Sequence, residues 1–177
     1  MSPYKFYQSW IQADDAELEK LFKQLTLVPV AEIDSILTEH TSDPGARSGQ
    51  KRLAAEMTTL VHGESSTASA VQATGVLFGS VAPGELDSAT LELLATEVPN
   101  VKLGRDMLGG ENLADLLAGG EVVASKGEAR RMLDQNGISI NGEKVAADGS
   151  ANEADLLHGR YLLVRKGKKA VHLLDFD

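Results

Sequence analysis

The chain has 177 residues, 42% hydrophobic but only 5% aromatic, enough for one ordinary core or two small ones built mainly from Leu, Val, Ala and Ile. It has no Cys, which excludes a disulfide framework and a thiolate zinc site, and no apolar run approaches the roughly 20 residues of a membrane span. The formal net charge of −9 argues at first sight against nucleic acid, but the charge is unevenly spread. Residues 1–110 carry eight Lys and Arg against fifteen Asp and Glu, net −7; residues 111–177 carry nine against eleven, net −2. Within the second part, 160–169 holds Arg160, Arg165, Lys166, Lys168 and Lys169 and no acid, a strip that can meet phosphate on an otherwise acidic protein.

In chain order, Ser2 caps a first helix with Pro3 at its first position. The start lacks the apolar stretch of a signal peptide, so a soluble, cytoplasmic protein is expected. Asp14 or Asp15 caps a second helix, with Leu18, Leu21, Phe22 and Leu25 at helical spacing. After Pro29, 30–39 reads as a short third helix. Residues 50–62 read as a strong fourth, with Leu53, Met57, Leu60 and Val61 on one face and Gly63 at its stop. Residues 64–78 form a fifth. Gly79 to Gly84 is a loop, Asp87 caps a helix through Leu94, and Val101 to Leu103 is extended. Gly109-Gly110 marks the expected domain boundary.

Beyond it, Asn112 caps a short helix over Leu113 to Leu117. Ser125-Lys126-Gly127-Glu128 is a capping box, and the helix it opens buries Ala129, Met132 and Leu133. Ile138-Ser139-Ile140, Asn141-Gly142 and Lys144-Val145 read as a hairpin; 161–164 and 171–174 around Gly167 read as a second. The expected fold is α+β: an N-terminal helical domain, 1–108, then a small α+β domain, 109–177, with two short helices on a mostly antiparallel sheet.

Helix 125–135 is the informative element. Lys126 and Arg130 are four apart and share a solvent stripe, with Arg131 beside it. The two hairpins add Asn141, Lys144, Arg160, Lys166, Lys168 and Lys169. Together these nine are the candidate RNA-binding groove: cations for the backbone, Asn141 for a phosphate or base. Lys51 and Arg52, on the polar side of the fourth helix, are secondary candidates. An ordinary solvated charged helix explains the same pattern about equally well from periodicity alone. The aromatics Tyr4, Phe6, Tyr7 and Trp10 fit core or docking better than base stacking. His40, His62, His158 and His172 form no metal-ligand spacing; no metal or catalytic residue is expected. No Gly-Lys-Ser/Thr follows the glycines of 75–84, so a P-loop is rejected.

The segment SKGEARRMLDQNGISINGEKV, 125–145, resembles the small RNA-binding module found in a ribosomal small-subunit protein, in pseudouridine synthases and in bacterial tyrosyl-tRNA synthetases. SPYKFYQSWIQADD (2–15), QKRLAAEMTTLVHG (50–63) and the ending GRYLLVRKGKKAVHLLDFD resemble, in order, the anticodon-side region of the last of these families. The sequence departs from the family pattern at Gly127, Asp134, Asn136, Ala170 and Val171. The resemblance implies tRNA as partner, held at the anticodon stem-loop and long variable arm of tyrosine tRNA, in a tyrosine-tRNA ligase used in translation. Neither a His-Ile-Gly-His-like nor a Lys-Met-Ser-Lys-Ser-like motif occurs here. The expectation is therefore a piece without the catalytic domain, not itself an enzyme, with Met1 an added start. ATP and Mg belong to the catalytic domain and no cofactor to this chain. The piece is expected to be monomeric and its parent a homodimer. The alternatives are an RNA-binding accessory module of an RNA-modifying enzyme such as a pseudouridine synthase, or a scaffold that binds no RNA.

Overall fold

The computed structural model describes residues 1–110, 113–146 and 148–177. Cα packing divides the chain into two compact units, Met1–Val71 and Gln72–Asp177. The Gly109-Gly110 pair lies inside the second unit. Asn100–Lys102, upstream of that pair, is hydrogen-bonded into the same sheet as the C-terminal strands.

The first unit is helical. In α1 (Pro3–Ile11) the Ser2 hydroxyl accepts from Lys5 N at 3.2 Å, with Pro3 inside the first turn where its missing N–H is harmless. The next turn departs from expectation. Asp14 makes no side-chain cap, and Asp15 opens a 3-10 turn before α2 (Leu18–Leu25). The Asp15 carboxylate instead accepts from Gln50 Nε2. That bond and the nearby His40 hold its pKa below the usual carboxylate value. α3 (Val30–Ser42) runs a few residues longer than its sequence pattern.

α4 (Ser48–His62) ends at Gly63, whose φ of 83° suits a residue without a side chain. Its buried stripe is Leu53, Ala54, Met57 and Thr58. Leu60 and Val61 are 58% and 56% exposed, where the sequence reading groups them with the buried face. Helical spacing puts them on the side of Leu53 and Met57, but the cluster those two form with Leu18, Phe22 and Ile33 reaches no further along α4 than Met57. Of the α1 aromatics, Tyr7 is buried and packs with Ala54 and Ala70, while the half-buried Phe6 and Trp10 pack on the neighbouring core, Phe6 meeting Trp10 and His62 edge-on.

α5 (Glu64–Phe78) precedes the 79–84 loop, and α6 (Ser88–Glu97) starts where Asp87 accepts from Thr90 N at 2.7 Å. The first strand, β1 (Asn100–Lys102), leads to α7 (Leu113–Gly119) and α8 (Lys126–Asp134). The proposed Asn112 cap lies outside the described residues. Then come β2 (Ile138–Ile140), β3 (Glu143–Lys144), β4 (Tyr161–Lys166) and β5 (Ala170–Asp175). The sheet order is β1-β5-β4-β2-β3, antiparallel except for the β1–β5 pair. Both hairpins are as read. Asn141 (φ 49°) and Gly142 (φ 92°) take the left-handed values that a two-residue hairpin turn requires. Ile138, Ile140, Leu162, Val164 and Leu174 pack with residues of α7 and α8 in one core. By strand alternation, Ser139, Leu163 and Arg165 point to the opposite face.

Candidate nucleic-acid interface

The capping box that opens α8 is present in a shifted form. Ser125 Oγ accepts from Glu128 N at 3.2 Å, while Glu128 reaches past the cap to accept from Ala124 N at 2.9 Å. Ala129 and Leu133 bury one face, so Lys126, Arg130 and Arg131 stand on the exposed remainder. The cations then sort by partner. Lys126 Nζ is 2.8 Å from Asp115 of α7. Arg130 and Arg131 make no side-chain hydrogen bond or ion pair with a described residue, although the Arg131 charge helps to hold Glu128 ionised.

Lys166 Nζ lies 2.7 Å from Glu128 Oε1, tying the end of β4 to the first turn of α8. That bond is the largest cause of the lowered Glu128 pKa, followed by the Ala124 N–H. Lys168 and Lys169 sit exposed in the β4–β5 turn, without an ion pair to a described residue. Gly167 N donates to Gly137 O at 2.7 Å, which places this turn beside the end of α8. Among the described residues of the second unit, Arg130, Arg131, Lys168 and Lys169 are therefore the exposed cations with neither a side-chain hydrogen bond nor an ion pair.

The remaining candidates are placed differently. Arg160 lies just before the other end of β4, six residue steps or roughly 20 Å from Lys166. Its guanidinium donates in a fork to Asp175, Nε to Oδ1 at 2.6 Å and Nη2 to Oδ2 at 2.8 Å, and lies 5.0 Å over the Tyr161 ring. The fork raises the Arg160 pKa and lowers that of Asp175, whose side chain is only 3% exposed. Arg160 thus neutralises a buried carboxylate and stands apart from the other candidates in the strip. Asn141 is also occupied: Nδ2 donates to Asp155 O at 2.6 Å and Oδ1 accepts from Leu163 N at 3.0 Å, holding the hairpin turn against β4. Lys144 donates to Asn136 O at 2.7 Å. Its strand partner is Ser139, so it projects from the face opposite α8.

In the first unit, Lys51 is exposed. Arg52 sits between Glu56 and Glu32, 2.7 Å from each, and its pKa is raised, mainly by Glu56. Arg165, passed over as a candidate in the sequence, donates to the Val76 and Leu77 carbonyls at the end of α5, at 2.7 and 3.2 Å. Its place in the basic strip was visible; its partners, some 88 positions away, were not.

Comparison with known proteins adds an independent line. Residues 90–174 match the model of the tyrosine–tRNA ligase SYY-like C-terminal domain, and residues 1–79 that of class I tRNA synthetases (W and Y). A tyrosine–tRNA ligase of Anaeromyxobacter dehalogenans is 41% identical over 169 residues, 95% of this chain and 40% of that protein. One of Bacteroides fragilis is 43% identical over 179 residues, 98% of this chain and 42% of that protein. The chain spans about 40% of the length of the curated relatives it matches.

Proposed function

Since this chain belongs to the tyrosine–tRNA ligase family, matching its C-terminal region, we propose that it binds tyrosine tRNA through the exposed cations of α8 and the β4–β5 turn. The observation that carries the reading is the set Arg130, Arg131, Lys168 and Lys169: exposed, close to one end of the sheet, and without an acid partner among the described residues. Cations already matched to carboxylates gain little from phosphate, whereas exposed unmatched ones release counterions on binding it. The exposed α8 face and the adjoining turn suit the backbone of a stem better than a buried base pocket.

The RNA elements are the anticodon stem-loop and the long variable arm, and Lys51 is a secondary contact to which Arg52, already paired with Glu56 and Glu32, adds little. In the whole ligase, this region positions the acceptor end for a catalytic domain that uses ATP and Mg. The chain by itself binds RNA without aminoacylating it and needs no cofactor. It works in the cytoplasm as a monomeric piece of a homodimeric parent. The scaffold alternative draws on one observation, the internal pairing of Lys126, Lys166 and Arg160.

The test is a titration of the chain with tyrosine tRNA, with the same tRNA lacking its long variable arm, and with a ribosomal RNA stem-loop. Tighter binding of the intact tRNA supports the reading. Preference for the ribosomal stem-loop moves the chain to the RNA-modifying alternative, and no binding to any of them leaves the scaffold.

A further inference from the structure

A cleft of about 600 Å³ opens within the second unit between the 79–83 loop and the sheet face opposite α7 and α8. Val81, Ala82 and Pro83 form one wall; Ser139, Lys144 and Arg165 lie on the other, with Leu163 beside them. Those three face the cleft because register aligns them: Lys144 pairs with Ser139, and Ser139 with Arg165. Arg165 is half-buried, donates only to the Val76 and Leu77 carbonyls, and has no carboxylate in ion-pair reach among the described residues. Glu143 is the one acid among the lining residues, so two cations face one carboxylate.

The cleft is therefore partly enclosed, apolar along the loop wall and polar with a net positive charge along the sheet wall, within the size range of small-ligand sites. Val81 and Ala82 leave accessible apolar surface on the loop side, and Glu143 and Lys144 are exposed on the sheet side, so the mouth of the cleft offers a base a face and an edge and a phosphate a cation. Single-stranded RNA presents that combination when one base leaves the stack. We propose that this cleft holds one unstacked nucleotide of the bound RNA, its base between the 79–83 loop and the sheet and its phosphate at Lys144. The proposal rests on the RNA-binding reading above and extends the contact surface to the second face of the sheet.

Ala82 is exposed on the loop, so Ala82→Trp fills the cleft without touching the core. Binding of a tyrosine-tRNA transcript to the full chain is measured beside thermal melting. Free AMP, CMP, GMP and UMP are titrated in parallel. Ala82→Trp should weaken tRNA binding about tenfold, with melting and salt dependence unchanged. Lys144→Ala should weaken it comparably and reduce the salt slope by about 1, and Lys144→Arg should restore it. If Ala82→Trp lowers the melting temperature, Ser80→Trp repeats the block from another exposed loop position. Wild-type affinity in a stable blocked variant overturns the cleft and leaves the RNA-binding reading standing. Absence of tRNA binding by the wild type overturns both. A free nucleotide that binds the wild type but not Ala82→Trp, with tRNA affinity untouched, overturns the assignment to an RNA strand.

Discussion

Arg160, just before β4, and Lys168-Lys169, just past its end, belong to one basic strip in the sequence but sit in unlike surroundings. Arg160 is clamped to a carboxylate that is nearly inaccessible to water, with an aromatic ring under the guanidinium. The two lysines project from a turn into solvent, beside the end of a helix that presents Arg130 and Arg131. Positive charge in a sequence therefore does not identify a phosphate contact by itself. The carboxylate it already meets determines whether the charge stabilises the fold or remains available to a ligand.

The contrast breaks first at Arg160. Arg160→Ala leaves Asp175 buried without its partner, and the melting temperature should fall by roughly 5–10 °C. At temperatures where the variant is folded, its tRNA affinity should stay within about twofold of wild type. Calorimetry alongside a binding titration checks both; a large affinity loss at unchanged stability would reverse the two roles. At the other end, Arg130→Ala with Arg131→Ala should weaken tRNA binding by about ten- to a hundredfold, while melting moves by no more than about a degree. Replacing Lys168 and Lys169 by Ala should cost about three- to tenfold, since turn lysines are mobile and strongly hydrated.

The smallest effect sharpens the comparison through pH. The Asp175 carboxylate is held below its ordinary pKa, first by the Arg160 fork. A carboxylate with a depressed folded-state pKa contributes stability that is complete above the unfolded value, near 4, and is lost as pH falls through the folded value. Acid unfolding should therefore begin below about pH 4, and Asp175→Asn should flatten that limb while lowering stability at neutral pH. An unchanged acid limb in the variant would show that the fork carries little of it.

Local patterns were the legible part of the fold. Ser2-Pro3, Asp87, Ser125 with Glu128, and Asn141-Gly142 act within a few residues of themselves, and each produces the cap or turn that its chemistry dictates. What joins distant segments was not legible. β1 pairs with β5 across some seventy residues, and nothing near Asn100 announces it. The reach of the buried face along α4 misled because Leu60 and Val61 are as apolar as the residues that are buried. The candidate site was half legible. Arg130, Arg131, Lys168 and Lys169 are exposed as read, but Arg160–Asp175, Lys166–Glu128 and the two bonds of Asn141 follow from register and packing, which charge spacing does not encode.

The salt dependence of tyrosine-tRNA binding tests the central claim most directly, comparing the wild type with a variant carrying Ala at Arg130, Arg131, Lys168 and Lys169. If these four meet phosphate, the slope of log affinity against log salt should become shallower in the variant by about 3 to 4. An unchanged slope, with binding intact, would contradict the account and place the RNA on other residues.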